Sequence, residues 1–222
     1  MSFSQKLKEE NRNLWDKILA HKFIQELGSG TLPIEKFIYY IKQDYLYLID
    51  FARCIGLAAS KAKDIESMRG WAQRMDGCLR YETLMLEDVS EKLGISKNEL
   101  ENSEKSPTNT AYLNHLLMVA YTGNIGENIA ALLPCMWTYL DVGTTVNKIG
   151  GFKGHPVYEK WCSAYGAPEY RDLVQTYINV IEETSKESGK YMKNKIRSHF
   201  RQSLKYEYMF WEMAYNMEKW II

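Results

Sequence analysis

The stretch IAALLPCMWTYL, residues 129–140, sets a proline and a cysteine side by side inside a long apolar run that reads as helix to about Val146. Pro134 has no N–H to offer the carbonyl of Ala130 and its ring crowds that carbonyl, so a kink is expected beside Cys135. Cys135 and Tyr139 sit one turn apart and project from one face. A thiol at a kink with a phenol one turn away fits a nucleophile and its positioning group. Core packing is the reading the stretch alone favours, because a free cysteine behaves as a small hydrophobe. Taken alone, the stretch leaves both readings open.

On either side the chain repeats the helical pattern. Residues 3–27 predict one helix through Leu7, Leu14, Ile18 and Phe23, stopped by Gly28 and Gly30. Thr31 as N-cap, Pro33 in the first turn and Glu35 near the positive end of the dipole then start a second helix, to about Ala62. Asp64 opens a third and Gly94 closes it, with Trp71, Met75, Cys78 and Leu79 as core. The polar segment 95–109 holds one helical turn, since Ser96 and Glu99 have capping-box spacing. Ser106 and Pro107 begin the next helix, with Tyr112 inward and His115 off the apolar row. Gly123 and Asn124 break the chain before the helix of residues 129–140. The glycines of KIGGFKGHP follow no strand, so they do not read as a phosphate cradle. A short helix with Trp161 and Tyr165, a long one from Pro168 to about Lys195, and a last one from about His199 complete an all-α chain of seven to eight helices, residues 1–222 forming a single domain.

Two carboxylates disturb the apolar pattern. Asp44 falls in the row Phe37, Ile41, Leu48, Phe51, Ile55 and Ala58, with Tyr47 three residues on. Glu207 falls in the row Ser203, Phe210, Ala214 and Met217, whereas Glu212 and Glu218 lie off it. A buried unpaired charge costs several kcal/mol, about 3 or more, so each carboxylate has either a buried cationic partner or a polar ligand in a cavity. In the second case burial raises the pKa of Glu207 toward the range useful for acid and base work near neutral pH.

Composition narrows the function classes. Lysine plus arginine equals aspartate plus glutamate, 28 of each in 222 residues, and no basic run marks a nucleic-acid face. Neither a membrane span of about twenty apolar residues nor a secretory leader is read, so a cytoplasmic location is expected. Cys54, Cys78, Cys135 and Cys162 have no CxxC spacing and read as free thiols. The 16 Tyr, 7 Phe and 6 Trp suit a flat-ligand pocket or large subunit contacts.

Three segments, HKFIQELGSGTLPIEKFIYYIKQDYLYL (21–48), LLPCMWTY (132–139) and KYEYMFWEMAY (205–215), together resemble the TenA family of thiaminase II or aminopyrimidine aminohydrolases. The resemblance implies a haem-oxygenase-like helical bundle without haem or other cofactor, assembled as a homotetramer. It implies hydrolysis of the bond from the 5-methylene of a 4-amino-2-methylpyrimidine to a leaving nitrogen, in aminomethylpyrimidine or in thiamine, giving hydroxymethylpyrimidine. Carried over position by position, it makes Cys135 the nucleophile and Glu207 the acid/base. It puts Asp44 and Tyr47 on the pyrimidine, Tyr112, Tyr139 and Tyr165 around it, and Phe210 in its wall, with Tyr158 and Tyr170 as alternatives to Tyr165. Such a site needs a thiolate to attack the ring, because the methylene of an intact pyrimidine resists direct displacement. A non-catalytic pyrimidine-binding or regulatory protein is the alternative reading. A haem or di-iron protein, with His21 as axial ligand near Glu26, is a further one, although no paired Glu-x-x-His motifs are present.

Overall fold

A computed structural model describes residues 1–221. Its helices are α1 (Phe3–Glu10), α2 (Arg12–Leu19), α3 (Lys22–Ser29), α4 (Ile34–Ser60), α5 (Ile65–Gly77), α6 (Thr83–Lys92), α7 (Lys97–Glu101), α8 (Pro107–Thr122), α9 (Ile125–Ile149), α10 (Pro156–Gly166), α11 (Pro168–Glu187) and α12 (Lys190–Asn216). A π turn, Cys78–Glu82, joins α5 to α6, and no strand occurs among the described residues.

Most helix ends obey the capping chemistry in the sequence. Asp64 accepts from the Ser67 amide, Ser96 from that of Glu99, and Ser106 from that of Asn109 ahead of Pro107. Asn124 and Glu127 form a full capping box at the start of α9. Besides the π turn that interrupts the helix expected from Asp64 to Gly94, three boundaries differ from expectation. The expected helix 3–27 is three helices. Asn11 turns its side chain back onto the Leu7 carbonyl at 2.8 Å, and His21 accepts from the Phe23 amide at 3.1 Å as an N-cap. Thr31 does not cap α4, because its hydroxyl pairs with Ser29 and the cap position falls on Pro33. The last two helices divide at Ser188 and Gly189, both extended, rather than near residues 195–199.

α9 is the axle of the bundle, packed by α2, α3, α4, α8, α10, α11 and α12. Its residues from Gly126 to Met136 are all buried, which only a helix covered on every side achieves. By length and composition α9 is apolar enough to cross a membrane, against the sequence expectation of no such segment; its place inside the bundle accounts for that apolarity. The tightest contact along it is at Gly143, where a Cβ would come within 2.4 Å of the Tyr165 backbone. Asn147 clamps the same junction, donating to the carbonyls of Gly143 at 2.8 Å and Cys162 at 2.7 Å. The end of α10 therefore lies directly on α9, one turn beyond Tyr139.

Candidate active site

Three helices converge on the middle of α9. α9 supplies Cys135, Thr138 and Tyr139, α12 supplies Glu207 and Phe210, α4 supplies Tyr40, Asp44 and Tyr47, and α8 supplies Tyr112. The two carboxylates that broke the apolar rows are buried, Asp44 at 3% exposure and Glu207 at 2%. Neither is perturbed by a lysine or arginine, so the cationic-partner reading fails for both.

Hydroxyls satisfy them instead. Tyr112 donates to Glu207 Oε1 at 2.5 Å and Thr138 donates to Oε2 at 3.2 Å. Burial pushes Glu207 up to about 7 against the pull of those two hydrogen bonds. Tyr40 donates to Asp44 Oδ2 at 2.9 Å, and burial raises Asp44 to about 7 as well. The Tyr40 oxygen lies 3.2 Å from the Tyr139 hydroxyl and receives the Trp161 indole N–H at 3.2 Å. A phenol has one proton to give. That proton is shared between the Asp44 carboxylate and the Tyr139 hydroxyl, both of which accept from Tyr40.

Cys135 retains 7% exposure where Ile129 to Leu133 retain none. Burial pushes its thiol well above the ordinary range, the negative charge of Glu207 adds to this, and the Tyr47 hydroxyl opposes it. The resting sulfur is thus protonated, and attack requires a base beside it. The Tyr47 hydroxyl is buried without a hydrogen-bond partner, a polar atom left for the thiolate or for a ligand.

Aromatic rings wall this polar cluster. Tyr47 packs against Tyr112 at 5.2 Å between centroids and against Phe210 at 5.6 Å, while Tyr139 meets Tyr165 edge-on at 5.0 Å. All eight residues singled out in the sequence therefore lie in one region. Of the two alternatives to Tyr165, Tyr158 is occupied elsewhere, donating to the Leu32 carbonyl at 2.7 Å. Tyr170 stands at 87° against Tyr165 at 5.0 Å and joins the same wall.

Three residues of the cluster escape the sequence reading. Tyr40 lies one turn before Asp44 and Thr138 one turn after Cys135, positions where a donor to a buried carboxylate belongs. Glu82, on the π turn, carried the same signal as Asp44, because Trp71, Met75, Cys78, Glu82 and Val89 follow helical spacing. It is half-buried, and its carboxyl rises to about 8 through desolvation, then through the charge of Asp44, against a hydrogen bond with Tyr165.

The ring nitrogens of His21 are already engaged. Nδ1 caps α3 and Nε2 lies 3.4 Å from Glu212, so the arrangement does not present an axial ligand. Among the described residues no cluster of His, Cys, Asp and Glu has the geometry to hold a metal ion.

Residues 8–217 match the TENA/THI-4/PQQC family. Over 220 residues the chain is 36% identical to the aminopyrimidine aminohydrolase of Halalkalibacterium halodurans, covering 99% of this chain and 98% of the relative. The solved TenA homologue from P. horikoshii OT3 superposes with a TM-score of 0.90 at 30% identity, over 97% of this chain and 99% of that one. A domain of unknown function with a heme oxygenase-like fold, from Shewanella denitrificans OS217, superposes with a TM-score of 0.78 at 16% identity, over 96% and 92%, a likeness of fold alone.

Proposed function

This chain belongs to the TENA/THI-4/PQQC family, and from that premise we propose that it is an aminopyrimidine aminohydrolase of the thiaminase II type, serving thiamine salvage. It is a hydrolase of C–N bonds, and its substrate is a 4-amino-2-methylpyrimidine carrying a nitrogen leaving group on the 5-methylene, as in aminomethylpyrimidine or thiamine. The observation that carries this reading is the buried Glu207, held between Tyr112 and Thr138 with no cation and poised near neutral pH beside a buried thiol.

Each group has a step that suits it. Glu207 as carboxylate takes the proton from Cys135, and the sulfur adds to the unsubstituted ring carbon. The electron pair displaced from the ring double bond moves to the ring nitrogen, which receives that proton back from Glu207. The adduct then expels the leaving group from the methylene, water adds there, and the C–S bond breaks as the ring nitrogen returns its proton to Glu207, which restores the thiolate and the aromatic ring. A carboxyl with a pKa near 7 both accepts and returns a proton at physiological pH, which one with an ordinary pKa near 4 does poorly. Asp44, raised in the same way, exists in part as the neutral acid. In that form one oxygen accepts from the substrate amino group while the other donates to the adjacent ring nitrogen. Tyr139, Tyr165, Tyr112 and Phe210 sandwich the ring.

The chain works as a cytoplasmic homotetramer in this proposal. Exposed Tyr81, Tyr121 and Tyr191 support subunit contacts of the kind aromatic surfaces make.

Cys135→Ser tests the reading. Turnover of both substrates falls by about a thousandfold or more, while the product pyrimidine binds within about threefold of wild type. Turnover close to wild type in that variant refutes the mechanism. Tight pyrimidine binding by a wild-type protein that turns over neither substrate establishes the non-catalytic alternative.

A further inference from the structure

The mechanism above uses two of the three raised carboxyls and leaves Glu82 idle. Glu82 lines a cleft of about 530 Å³ on the flank of the bundle, together with Met85, Tyr165, Tyr170 and Leu173. Two of those residues, Tyr165 and Tyr170, also wall the buried cluster, and the Tyr170 hydroxyl points to Met136 beside Cys135. The cleft therefore abuts the buried pyrimidine site, with Glu82 at the junction.

The chain places this carboxyl with care. The π turn inserts a residue into the α5–α6 rod, and Thr83 ties its amide and its hydroxyl to the Cys78 carbonyl. Cys78 in turn lies 3.8 Å from the Leu48 carbonyl of α4, the helix that carries Asp44. Such turns are rare, and they recur where a helix must re-aim a functional side chain.

Glu82 and Glu207 approach from different sides. The π turn that carries Glu82 packs on α4, α5 and α6, whereas α12, which carries Glu207, packs on α2, α3, α4, α8 and α9. With Asp44 on the amino edge of the pyrimidine and Glu207 on the ring nitrogen, the 5-methylene substituent has the cleft as its outlet. The cleft is mostly apolar and holds two carboxyls, the exposed Glu169 and the half-buried Glu82; Glu82 is the one held against Tyr165 of the ring wall, and so the one placed to exchange a proton with a departing nitrogen.

We propose that Glu82 is a further catalytic residue, the acid that protonates the leaving amine and then the base that takes a proton from the attacking water. This rests on the aminohydrolase reading. In the Cys135 adduct the methylene C–N bond breaks, its electron pair stays on nitrogen, and nitrogen takes the proton of the neutral Glu82 carboxyl to leave as ammonia. Water then forms the C–O bond, and its surplus proton returns to the Glu82 carboxylate, closing the balance. Thiamine separates the two roles, because its thiazolium departs as a neutral thiazole and needs no proton.

Wild type, Glu82→Gln and Glu82→Asp are compared on aminomethylpyrimidine and on thiamine, with the 5-pyridiniomethyl pyrimidine as a second substrate whose leaving group needs no proton. In Glu82→Gln the ratio of kcat on the amine to kcat on the cationic substrates falls by about a hundredfold or more, the usual contribution of a placed general acid. Glu82→Asp restores part of it, and the affinity for hydroxymethylpyrimidine holds within about threefold. A ratio unchanged within about threefold, whether both rates fall together or neither falls, overturns the role of Glu82 and leaves the aminohydrolase standing. A wild-type protein that turns over none of the three overturns both.

Discussion

Replacing Glu207 by glutamine is expected to make the protein more tolerant of alkaline pH while abolishing its chemistry. The carboxyl is 2% exposed, and its pKa rises from 4.5 to about 7 on folding. A raised carboxyl favours the folded state only while protonated. The contribution is complete below pH 4.5, where both states hold the proton, and is lost as pH rises through about 7. The full shift corresponds to about 3 kcal/mol, most of which falls between pH 5 and pH 8.5. Glutamine is nearly isosteric and does not titrate, so it removes this slope. Any loss from remaking the contacts with Tyr112 and Thr138 is the same at every pH. Asp44 titrates in both proteins and cancels to first order. Urea unfolding at fixed protein concentration, at pH 5 and at pH 8.5, measures the difference. The variant gains about 2 to 3 kcal/mol on wild type between the two conditions, and its kcat falls far more than its Michaelis constant changes. An equal stability difference at both pH values refutes the claim that Glu207 is buried near neutrality.

Two further substitutions test the frame around the reacting groups. Tyr40→Phe removes the donor to Asp44 Oδ2 and the acceptor of the Trp161 indole, and is expected to cost about 2 kcal/mol in denaturant unfolding. The same change moves the limb of the pH–rate profile set by Asp44 to higher pH, because the hydrogen bond that lowers its pKa is gone; an unmoved limb would contradict the network. Pro134→Ala restores an N–H for the Ala130 carbonyl, so thermal unfolding is expected to show no loss of stability while kcat falls. Unchanged turnover would return the proline to ordinary helix packing.

The sequence made the buried carboxylates of the candidate site legible because they are errors in an otherwise regular pattern. Asp44 and Glu207 stand where apolar residues belong, and burial of both rows turns those errors into a site. Glu82 obeys the same logic but is harder to read, because the row containing it is set among polar residues, WAQRMDGCLRYE over 71–82. The partners were harder to read. Nothing in a helical period says that Tyr112 reaches Glu207 rather than another acceptor, since that depends on how α8 and α12 cross. Caps written in Asp64, Ser96, Ser106 and Asn124 were readable because they act within one turn. The breaks at Asn11 and His21 depend on side chains curling back onto their own backbone, a choice that tertiary packing decides.

The contact at Gly143 bears on how this pocket can change its diameter. One wall of the ring site, Tyr165, is seated through its backbone on a position of α9 that has no side chain, one turn past Tyr139. The gap between those two phenols is thus a property of the spine of the bundle and not of the residues that line it. Any added carbon at Gly143 would lever α10 outward and open the site as a hinge opens a jaw. Descendants of this chain that accept a bulkier ring have a one-step route at a position that touches no substrate.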